Sequence, residues 1–375
     1  RGLGDVYKRQ DRCTIFMYDK ENNELYSKVA TGLDTKELRI PADKGLAGHV
    51  VQTGETINIK DAYNDKRFNP NVDKKTGYRT KTILCMPIKN FNQEIIGVFQ
   101  VLNKFDEYFT PDDEDLLIAI ASSAGISLEN AQLFERQRKL LEEQKVVLDS
   151  FIETLATSID ARDKITSGHS SRVKMYSSLI AQEFGMEKND LYILEKAAAL
   201  HDIGKIGIRD SVLQKEGKLT PEEYKHIQQH VEITHHILEK IHMSEDFKQI
   251  TEIACSHHEK FDGTGYYRHL KGEEIPFGGR ILAVSDVFDA ITSKRHYRDK
   301  MPIEKVIDII KNGAGSHFDP LVVDKFLDIK LSKIVGVFIT ENHMVIDKED
   351  LVTLEKYNLL DLYYSIVNNC SNKLL

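Results

Sequence analysis

Residues 194–208 read LEKAAALHDIGKIGI, an apolar helical stretch that ends in a histidine, an aspartate and two glycines. The helical period places Leu194 and Ala197 on one apolar face, so this helix is expected to pack in a core. His201 and Asp202 follow where that helix meets the core. Because an unpaired buried carboxylate is costly, Asp202 is expected to pair with a cation or to bind a metal ion. The stretch therefore predicts a helical domain with an ionic site at its centre.

Further segments of the same half of the chain combine histidine and aspartate in apolar surroundings. They supply His169 in SGHSSRV, His230 in IQQHVEI, His257 and His258 in CSHHEKFDGTGYY, and Asp286 in ILAVSDVFDAI. Asp289 follows Asp286 on the same helix face, and two buried acids on one apolar helix need a cation. Any one of these histidines alone is more often structural than metal-binding, whereas the whole set favours a metal site.

The size of this set indicates two metal ions rather than one. Five imidazoles and two carboxylates exceed what one tetrahedral zinc ion uses, and they suit two six-coordinate ions that share a carboxylate and a water. Asp202, which adjoins His201, is the predicted bridge. Ligation without thiolate favours manganese, iron, cobalt or nickel, with iron and manganese preferred here. Two such ions activate a bridging water and hold a phosphoryl group for in-line attack, which is hydrolytic phosphorus chemistry.

Basic and aromatic residues beside these ligands are predicted to contact an anionic substrate. Lys205 lies shortly after the first ligands, and Arg295 and Arg298 follow the aspartate-bearing helix in TSKRHYRDK. Arginine suits bidentate phosphate contacts, and lysine suits a point-charge contact. Tyr266 follows the glycines of DGTGY, where it can stack on a base or hydrogen-bond a phosphate. For any single arginine, a solvated surface position is the alternative.

The composition is that of an ordinary globular chain with histidine concentrated in one half. A length of 375 residues suggests two domains. The net charge of −8 argues against a broad basic surface for DNA or acidic lipid, so an anionic ligand needs a local positive site. Of the 14 histidines, twelve lie between His169 and His317. This skew separates a half that carries metal chemistry from a half that does not.

Cysteine usage and hydropathy favour a cytoplasmic protein. The four cysteines form no CxxC pair, so neither a disulfide framework nor a thiolate zinc site is indicated. No stretch approaches the ~20 apolar residues of a membrane span, and no signal peptide is recognised. The opening RGLGDVYKRQ shares no period with the strand-like residues after Gln10, so it is expected to be foreign to the natural protein, for example translated adaptor sequence, and to take no part in the fold.

The first half alternates short apolar runs with turn residues, as antiparallel α+β domains do. The runs CTIFMY, LYSKVA, TINI, TILCMPI and IIGVFQVLN predict strands. Residues 44–55 predict a short helix that ends at Gly54. Thr110 and Pro111, followed by acidic residues, predict the start of a long helix.

That helix is predicted to continue as a linker with a narrow apolar seam. Its apolar residues recur every seven positions in two rows, Phe134, Leu141, Leu148 and Leu155 beside Leu133, Leu140 and Val147. The seam suggests a coiled coil that joins two domains and forms a homodimer. The alternative is one amphipathic helix that packs on its own domain.

The second half resembles the HD-GYP subfamily of the HD-domain phosphohydrolases. The resemblance covers residues 158–331 and includes LHDIGKIGI, KLTPEEYKHIQQH, HHEKFDGTGY, KGEEIPFGGRILAVSDVFDAITS and SHFDP in order. It implies an all-α HD-type domain that hydrolyses cyclic di-GMP to pGpG, GMP or both. Its metal ligands fall on His169, His201, Asp202, His230, His257, His258 and Asp286. Its substrate contacts fall on Lys205, Tyr266, Arg295 and Arg298, with Asp202 and Lys205 as the catalytic pair.

Two positions depart from that family's pattern. Tyr267 replaces the proline of the naming tripeptide, which removes no ligand. Ile165 stands four residues before His169, where a carboxylate could add a ligand for a third metal, so two metals are expected. The alternatives to cyclic di-GMP hydrolysis are a silent module that binds cyclic di-GMP or docks a GGDEF-type cyclase, and hydrolysis of another nucleotide.

Residues 11–134 resemble a GAF sensory domain that lacks its leading helix. Within them the set Asn103, Lys104, Phe109, Asp113 and Glu114 matches the NKxnFx3DE pattern of cyclic-nucleotide-binding GAF domains. The resemblance implies cAMP or cGMP as a ligand; the alternative is a GAF domain used for dimerisation or for sensing something else. The predicted order is thus GAF domain 11–134, helical linker 135–157, HD-GYP domain 158–331, and a tail 332–375 of unknown role.

Overall fold

The computed structural model describes residues 10–30, 38–105, 108–162, 168–241, 245–293, 301–342 and 346–371. The chain divides into two compact units, Arg1–Gln144 and Lys145–Leu375. Three residues of the sequence predictions, Ile165, Arg295 and Arg298, lie outside the described residues. Gln10, the last residue of the opening segment, begins the first strand and pairs with Lys104, so this residue belongs to the fold.

The first unit is built on a six-stranded antiparallel sheet, as the alternating apolar runs predict. Its strands are β1 Gln10–Asp19, β2 Glu24–Ala30, β3 Arg39–Pro41, β4 Ile57–Ile59, β5 Ile83–Lys89 and β6 Ile95–Lys104, in the order β3-β2-β1-β6-β5-β4. Successive residues of β5 face opposite sides, so Ile83 and Cys85 enter one apolar cluster and Leu84 and Met86 another. The sheet is therefore buried on both faces.

Helices cover these two faces. Helix α1 (Gly45–Thr53) ends at Gly54, whose φ of 71° suits a C-terminal glycine. A short helix, α2 (Asn71–Thr76), lies between β4 and β5. The opposite face is covered by the start of α3 (Pro111–Arg162), which packs Leu117 and Ala121 against the sheet.

Helix α3 runs unbroken for 52 residues, and its apolar residues have two kinds of surroundings. Leu133, Leu140 and Val147 are exposed by 57%, 51% and 68%. Leu148 and Leu155, by contrast, pack against helices of the second unit. The predicted seam thus contains an exposed part and a part that is used within the second unit.

By length and hydropathy alone, α3 also contains a window apolar enough to cross a membrane, contrary to the sequence prediction that no segment qualifies. In its first turns Leu117 and Ala121 are buried against the sheet, whereas Ile118 and Ile126 are exposed.

The described part of the second unit is helical. After α3 come α4 His169–Glu183, α5 Lys188–Leu200, α6 Asp210–Leu213, α7 Pro221–Glu239, α8 Glu245–Ala254, α9 Phe277–Thr292, α10 Ile303–Asn312, α11 Pro320–Leu327, α12 Leu331–Asn342, α13 Lys348–Leu354 and α14 Leu359–Ser371. A short 3-10 helix, Ile203–Gly207, follows α5. The main core includes Tyr176, Phe288 and Phe326, all fully buried.

Residues 332–375, the segment to which the sequence assigns no role, contain helices that pack on the second unit. Ile334 and Val337 of α12 and Leu359 of α14 are buried in the main core. The Leu331 N–H also donates to the Tyr357 carbonyl at 2.9 Å, which ties the two ends of this segment together. Apolar residues of this segment therefore form part of the core of the second unit.

Candidate metal centre

The seven predicted metal ligands converge on one buried centre in the second unit. His169 begins α4, His201 and Asp202 follow α5, His230 lies in α7, His257 and His258 follow α8, and Asp286 lies in α9. Their ligand atoms form two main groups, each with members within 4.8 Å of one another. One group is His169, His201 and Asp286, and the other is His230, His257 and His258.

Asp202 lies between the two groups. Its Oδ1 is 3.4 Å from Nε2 of His230, in one group. Its Oδ2 is 3.4 Å from Nε2 of His201 and 3.7 Å from Nε2 of His169, in the other. A carboxylate whose two oxygens face different ligand groups is suited to bridge two metal ions.

Three of the imidazoles are held in the same way, by the backbone of their own helix. The Nδ1 atoms of His201, His230 and His257 lie 2.6–2.7 Å from the carbonyl oxygens three residues earlier. The carbonyl can only accept, so Nδ1 carries the proton and Nε2 keeps its lone pair. Such a bond fixes the ring orientation of a metal-ligating histidine.

A buried nitrogen without a hydrogen-bond partner also indicates that this group of side chains is suited to bind divalent metal ions. Nε2 of His201 is fully buried and has no hydrogen-bond partner among the residues that the structure describes. A buried nitrogen without a partner is costly, and a metal ion is a natural partner for a lone pair facing carboxylates. The mixture of imidazole and carboxylate suits iron, manganese or a related ion.

Burial favours neutral rings on one side of the centre. It lowers the pKa of His257 to about 3, aided by the neighbouring His201, and lowers the pKa of His230 as well. For His169, burial also disfavours the charged ring, but hydrogen bonds to Asp286 and Asp289 outweigh it and raise the pKa to about 10. A metal ion that bound His169 would have to displace the proton from the ring nitrogen that it contacts.

Asp289 holds a ligand rather than joining the metal groups. Its Oδ2 lies 2.7 Å from Nδ1 of His169, and its Oδ1 accepts from Nε of Arg172 at 2.6 Å. The cation that this second buried acid was expected to need is therefore Arg172, together with His169. A carboxylate on the outer nitrogen of a ligating histidine orients the ring and raises its basicity.

Gly204 determines how closely the His201-Asp202 segment approaches α7. A Cβ atom at this position would lie 1.9 Å from the His230 carbonyl oxygen and 2.5 Å from the Thr234 nitrogen. The Thr234 hydroxyl accepts from Gly204 N–H at 3.0 Å and donates to the His201 carbonyl at 3.1 Å. Only a glycine allows this contact, which brings Asp202 next to His230.

Two of the predicted substrate contacts lie at the centre. Lys205 Nζ is 2.7 Å from Asp202 Oδ2, and its side chain is mostly buried. The Tyr266 ring lies 4.7 Å from the His258 ring at an angle of 30°. The other two, Arg295 and Arg298, lie outside the described residues.

The loop that carries Tyr266 is tied to a buried acid that the sequence reasoning missed. Glu259 is 2% exposed, and its carboxylate accepts from the backbone N–H groups of Arg268 at 2.8 Å and Leu270 at 3.1 Å. The position of Glu259, directly after His257 and His258, was the one feature of the sequence that could have marked it as part of the site. Tyr267 has a φ of 96° in this loop. A proline, whose ring fixes φ near −65°, cannot adopt that backbone.

Glu259→Gln is expected to weaken substrate binding about three- to tenfold while two metal ions remain bound. An amide can accept from only one of the two N–H groups, so the Tyr266 loop loses one of its ties. Substrate titration and metal analysis measure the two effects. Glu273→Gln, at an exposed position, is the control. Equal substrate affinity in both variants would show that Glu259 does not hold the loop for binding.

In the first unit, the predicted GAF motif residues make structural contacts. Lys104 Nζ and Asp113 Oδ2 form an ion pair at 2.5 Å. The Asn103 side chain accepts from Lys81 N–H at 2.6 Å and donates to the Arg79 carbonyl at 2.9 Å. Phe109 is buried beneath the sheet, and Glu114 accepts from the Asn58 amide at 2.6 Å. These contacts join the start of α3 to β4 and β6, and residues 79–81 to β6.

The two units of the chain match two different families of known proteins. Residues 9–128 match the GAF domain family, and residues 153–322 match the HD domain family. The chain is 35% identical to 3'3'-cGAMP-specific phosphodiesterase 2 of Vibrio cholerae, over 64% of this chain and 44% of that protein. It is 42% identical to a cyclic di-GMP phosphodiesterase of Thermotoga maritima, over 48% of each chain.

A third relative is the response regulator RpfG of Xanthomonas campestris, named as a cyclic di-GMP phosphodiesterase. It is 39% identical over 50% of each chain. The match thus spans about half the length, or less, of each of these relatives. The predicted fold class, an antiparallel α+β GAF domain followed by an all-α HD domain, is confirmed.

Proposed function

We propose that this protein, which carries a GAF domain followed by an HD domain, is a metal-dependent phosphodiesterase that hydrolyses cyclic di-GMP. The observation that carries the proposal is the position of Asp202, with one oxygen facing each of two ligand groups. A pair of divalent ions, iron or manganese, fits that arrangement. When bound, the ions would supply an activated water and polarise the phosphoryl oxygens.

The residues of the chain have separate tasks in this reaction. His169, His201 and Asp286 would hold one ion, and His230, His257 and His258 would hold the other, with Asp202 between the two groups. Lys205 holds a positive charge beside Asp202, where it binds a phosphate oxygen of the substrate. Tyr266, beside the ring of His258, contacts a base or a phosphate. Arg295 and Arg298 are proposed as further phosphate contacts on the sequence pattern alone.

A second substrate is considered, because the metal ligands determine the reaction, which is phosphodiester hydrolysis, but do not determine which nucleotide base is recognised. Two relatives from Vibrio cholerae are named as phosphodiesterases specific for 3'3'-cGAMP. Cyclic di-GMP is preferred because relatives from three organisms carry that name. A mixed cyclic dinucleotide is the second candidate.

The test is anaerobic incubation of the metal-loaded chain with cyclic di-GMP or 3'3'-cGAMP. Products read by mass spectrometry distinguish pGpG from GMP. Turnover of cyclic di-GMP, lost in Asp202→Ala, is the expected result. Faster turnover of 3'3'-cGAMP would transfer the proposal to the second candidate. Binding of either dinucleotide without hydrolysis would replace the enzyme by a binding module.

The GAF domain is proposed to regulate this activity in the cytoplasm by binding cAMP or cGMP. The match of residues 9–128 to the GAF family supports a sensory role. Isothermal calorimetry of the full chain with each nucleotide tests it. Heat of binding at micromolar nucleotide is expected, and no binding of either nucleotide would remove the proposal.

The chain is further proposed to form a homodimer through the exposed apolar residues of α3. Leu140→Glu is expected to shift the protein from dimer to monomer, because a carboxylate in a coiled-coil seam is buried without a partner. Light scattering after size-exclusion chromatography measures the mass. Lys139→Glu adds a carboxylate at the neighbouring position, outside the apolar rows, and is expected to stay dimeric. A monomeric wild-type protein would contradict the proposal.

A further inference from the structure

The last turn of α3 is hydrogen-bonded to one of the segments that carry metal ligands. Asp160 is 5% exposed, and its carboxylate accepts from the backbone N–H of Ser170 at 3.0 Å and from the Ser170 hydroxyl at 2.8 Å. Ser170 adjoins His169 at the start of α4. A carboxylate from another helix thus satisfies an N–H group of the first turn of α4, which has no partner within its own helix.

Two residues later, Arg162 binds the other ligand-bearing segment. Its Nη1 donates to the carbonyl oxygens of Lys205 and Ile206, each at 2.7 Å. Its Nη2 donates to the Ile208 carbonyl at 2.6 Å and to Asp210 Oδ1 at 2.8 Å, and its Nε donates to the same Asp210 oxygen at 3.0 Å. All five N–H donors of the guanidinium are therefore used.

These contacts stabilise the end of the short 3-10 helix that directly follows Asp202. The Lys205 carbonyl accepts from the Ile208 N–H at 3.0 Å, and Arg162 gives it a second donor. Arg162 also supplies donors to the carbonyls of Ile206 and Ile208, near the end of the 3-10 helix, where backbone acceptors lack partners within the helix. Lysine, with one compact ammonium group, cannot reproduce this planar fork. Arg162 thus contacts the backbone at Lys205, whose ammonium group lies beside Asp202.

We propose that Asp160 and Arg162 are positioning residues through which the end of α3 aligns His169 and Lys205 for the reaction. Among the described residues, no hydrogen bond or ion pair joins either side chain to the seven predicted ligands; each acts through the segment that it holds. Because both lie in one turn of the same helix, a rotation of that turn would displace both segments together. The inference rests on the proposed function for the chemistry of the centre, and on the contacts above for the alignment.

The first test needs no turnover. Hydrogen–deuterium exchange of the full chain is compared between the wild type, Arg162→Lys and Asp160→Asn. Arg162→Lys is expected to raise exchange in the peptides that cover residues 203–213, and Asp160→Asn in those that cover residues 168–173. Arg138→Lys, an exposed change on the same helix, is the control and is expected to match the wild type. Unchanged exchange, or faster exchange throughout the second unit, would overturn the proposal.

The second test separates positioning from general weakening. Arg162→Lys is expected to keep two Mn²⁺ ions and to lose about 10- to 100-fold in kcat/KM, since a displacement of ~1 Å can cost that much. In a Lys205→Ala background the same change should cost less than about threefold, because the residue it acts through is gone. Equal losses in both backgrounds would overturn the proposal. If the wild type turns over neither cyclic dinucleotide, the proposed function fails, and the exchange data alone decide the inference.

Discussion

Asp202→Ala should lose at least about 10³-fold in kcat, and the metal content should fall from two ions per chain to one or none. The carboxylate faces both ligand groups, so its removal would take a ligand from each of the two proposed ions. It would also remove the negative charge that lies beside the Lys205 ammonium, and a less compensated positive charge opposes the binding of a cation. Elemental analysis and initial rates with cyclic di-GMP measure both effects. A loss of 10³-fold corresponds to ~4 kcal/mol of transition-state stabilisation.

The control for this variant is Asp324→Ala, which removes an exposed carboxylate of α11. It is expected to retain both ions and the wild-type rate. The opposite pattern, with two ions and normal turnover in Asp202→Ala, would remove Asp202 from the centre. Retention of both ions with no turnover would assign Asp202 to the reaction alone.

Gly204→Ala should destabilise the second unit by about 2–4 kcal/mol and weaken metal binding about 10- to 100-fold. The new methyl group would lie within 1.9 Å of the His230 carbonyl oxygen, so α7 has to move away from the segment that carries Asp202. Overpacking of a tight contact costs ~1–3 kcal/mol, and loss of the Thr234 hydrogen bonds adds to this. Denaturant unfolding and Mn²⁺ titration measure the two effects separately.

Gly336→Ala is the matched control, because no atom lies within 4 Å of the Cβ that it would add. Alanine is the better helix former, so this variant is expected to be as stable as the wild type or more stable by up to ~1 kcal/mol. If Gly204→Ala unfolds like Gly336→Ala and binds both ions normally, the close approach of the two segments is not required for the centre.

The sequence was sufficient for the fold class because the two halves have different hydrophobic patterns. Short apolar runs between turn residues predicted strands such as β5, and the 3.6-residue period of LEKAAAL predicted helix α5. The three-residue strand β3 was missed, since it is defined only by pairing with β2. The packing of the helices after Leu331 was not predicted for a similar reason. Their apolar residues are buried only because they pack against other helices of the second unit, which the local sequence does not reveal.

The candidate metal ligands could be predicted from the sequence because only a few residue types bind divalent metal ions. A buried aspartate such as Asp286 in an apolar helix is conspicuous. The residues that hydrogen-bond to these ligands were harder to predict. Asp289 was recognised as needing a cation, but Arg172 lies 117 residues before it. No local pattern relates residues so far apart.

The sequence by itself therefore determined which side chains can bind metal and which segments are helices or strands, because both depend on residue type and short-range spacing. Only the tertiary structure decided that the oxygens of Asp202 face two ligand groups, that Glu259 holds the Tyr266 loop, and that Arg162 holds the Lys205 backbone. Each of these depends on distances between segments far apart in the chain. Those distances are determined by how the helices pack, as the close contact at Gly204 illustrates.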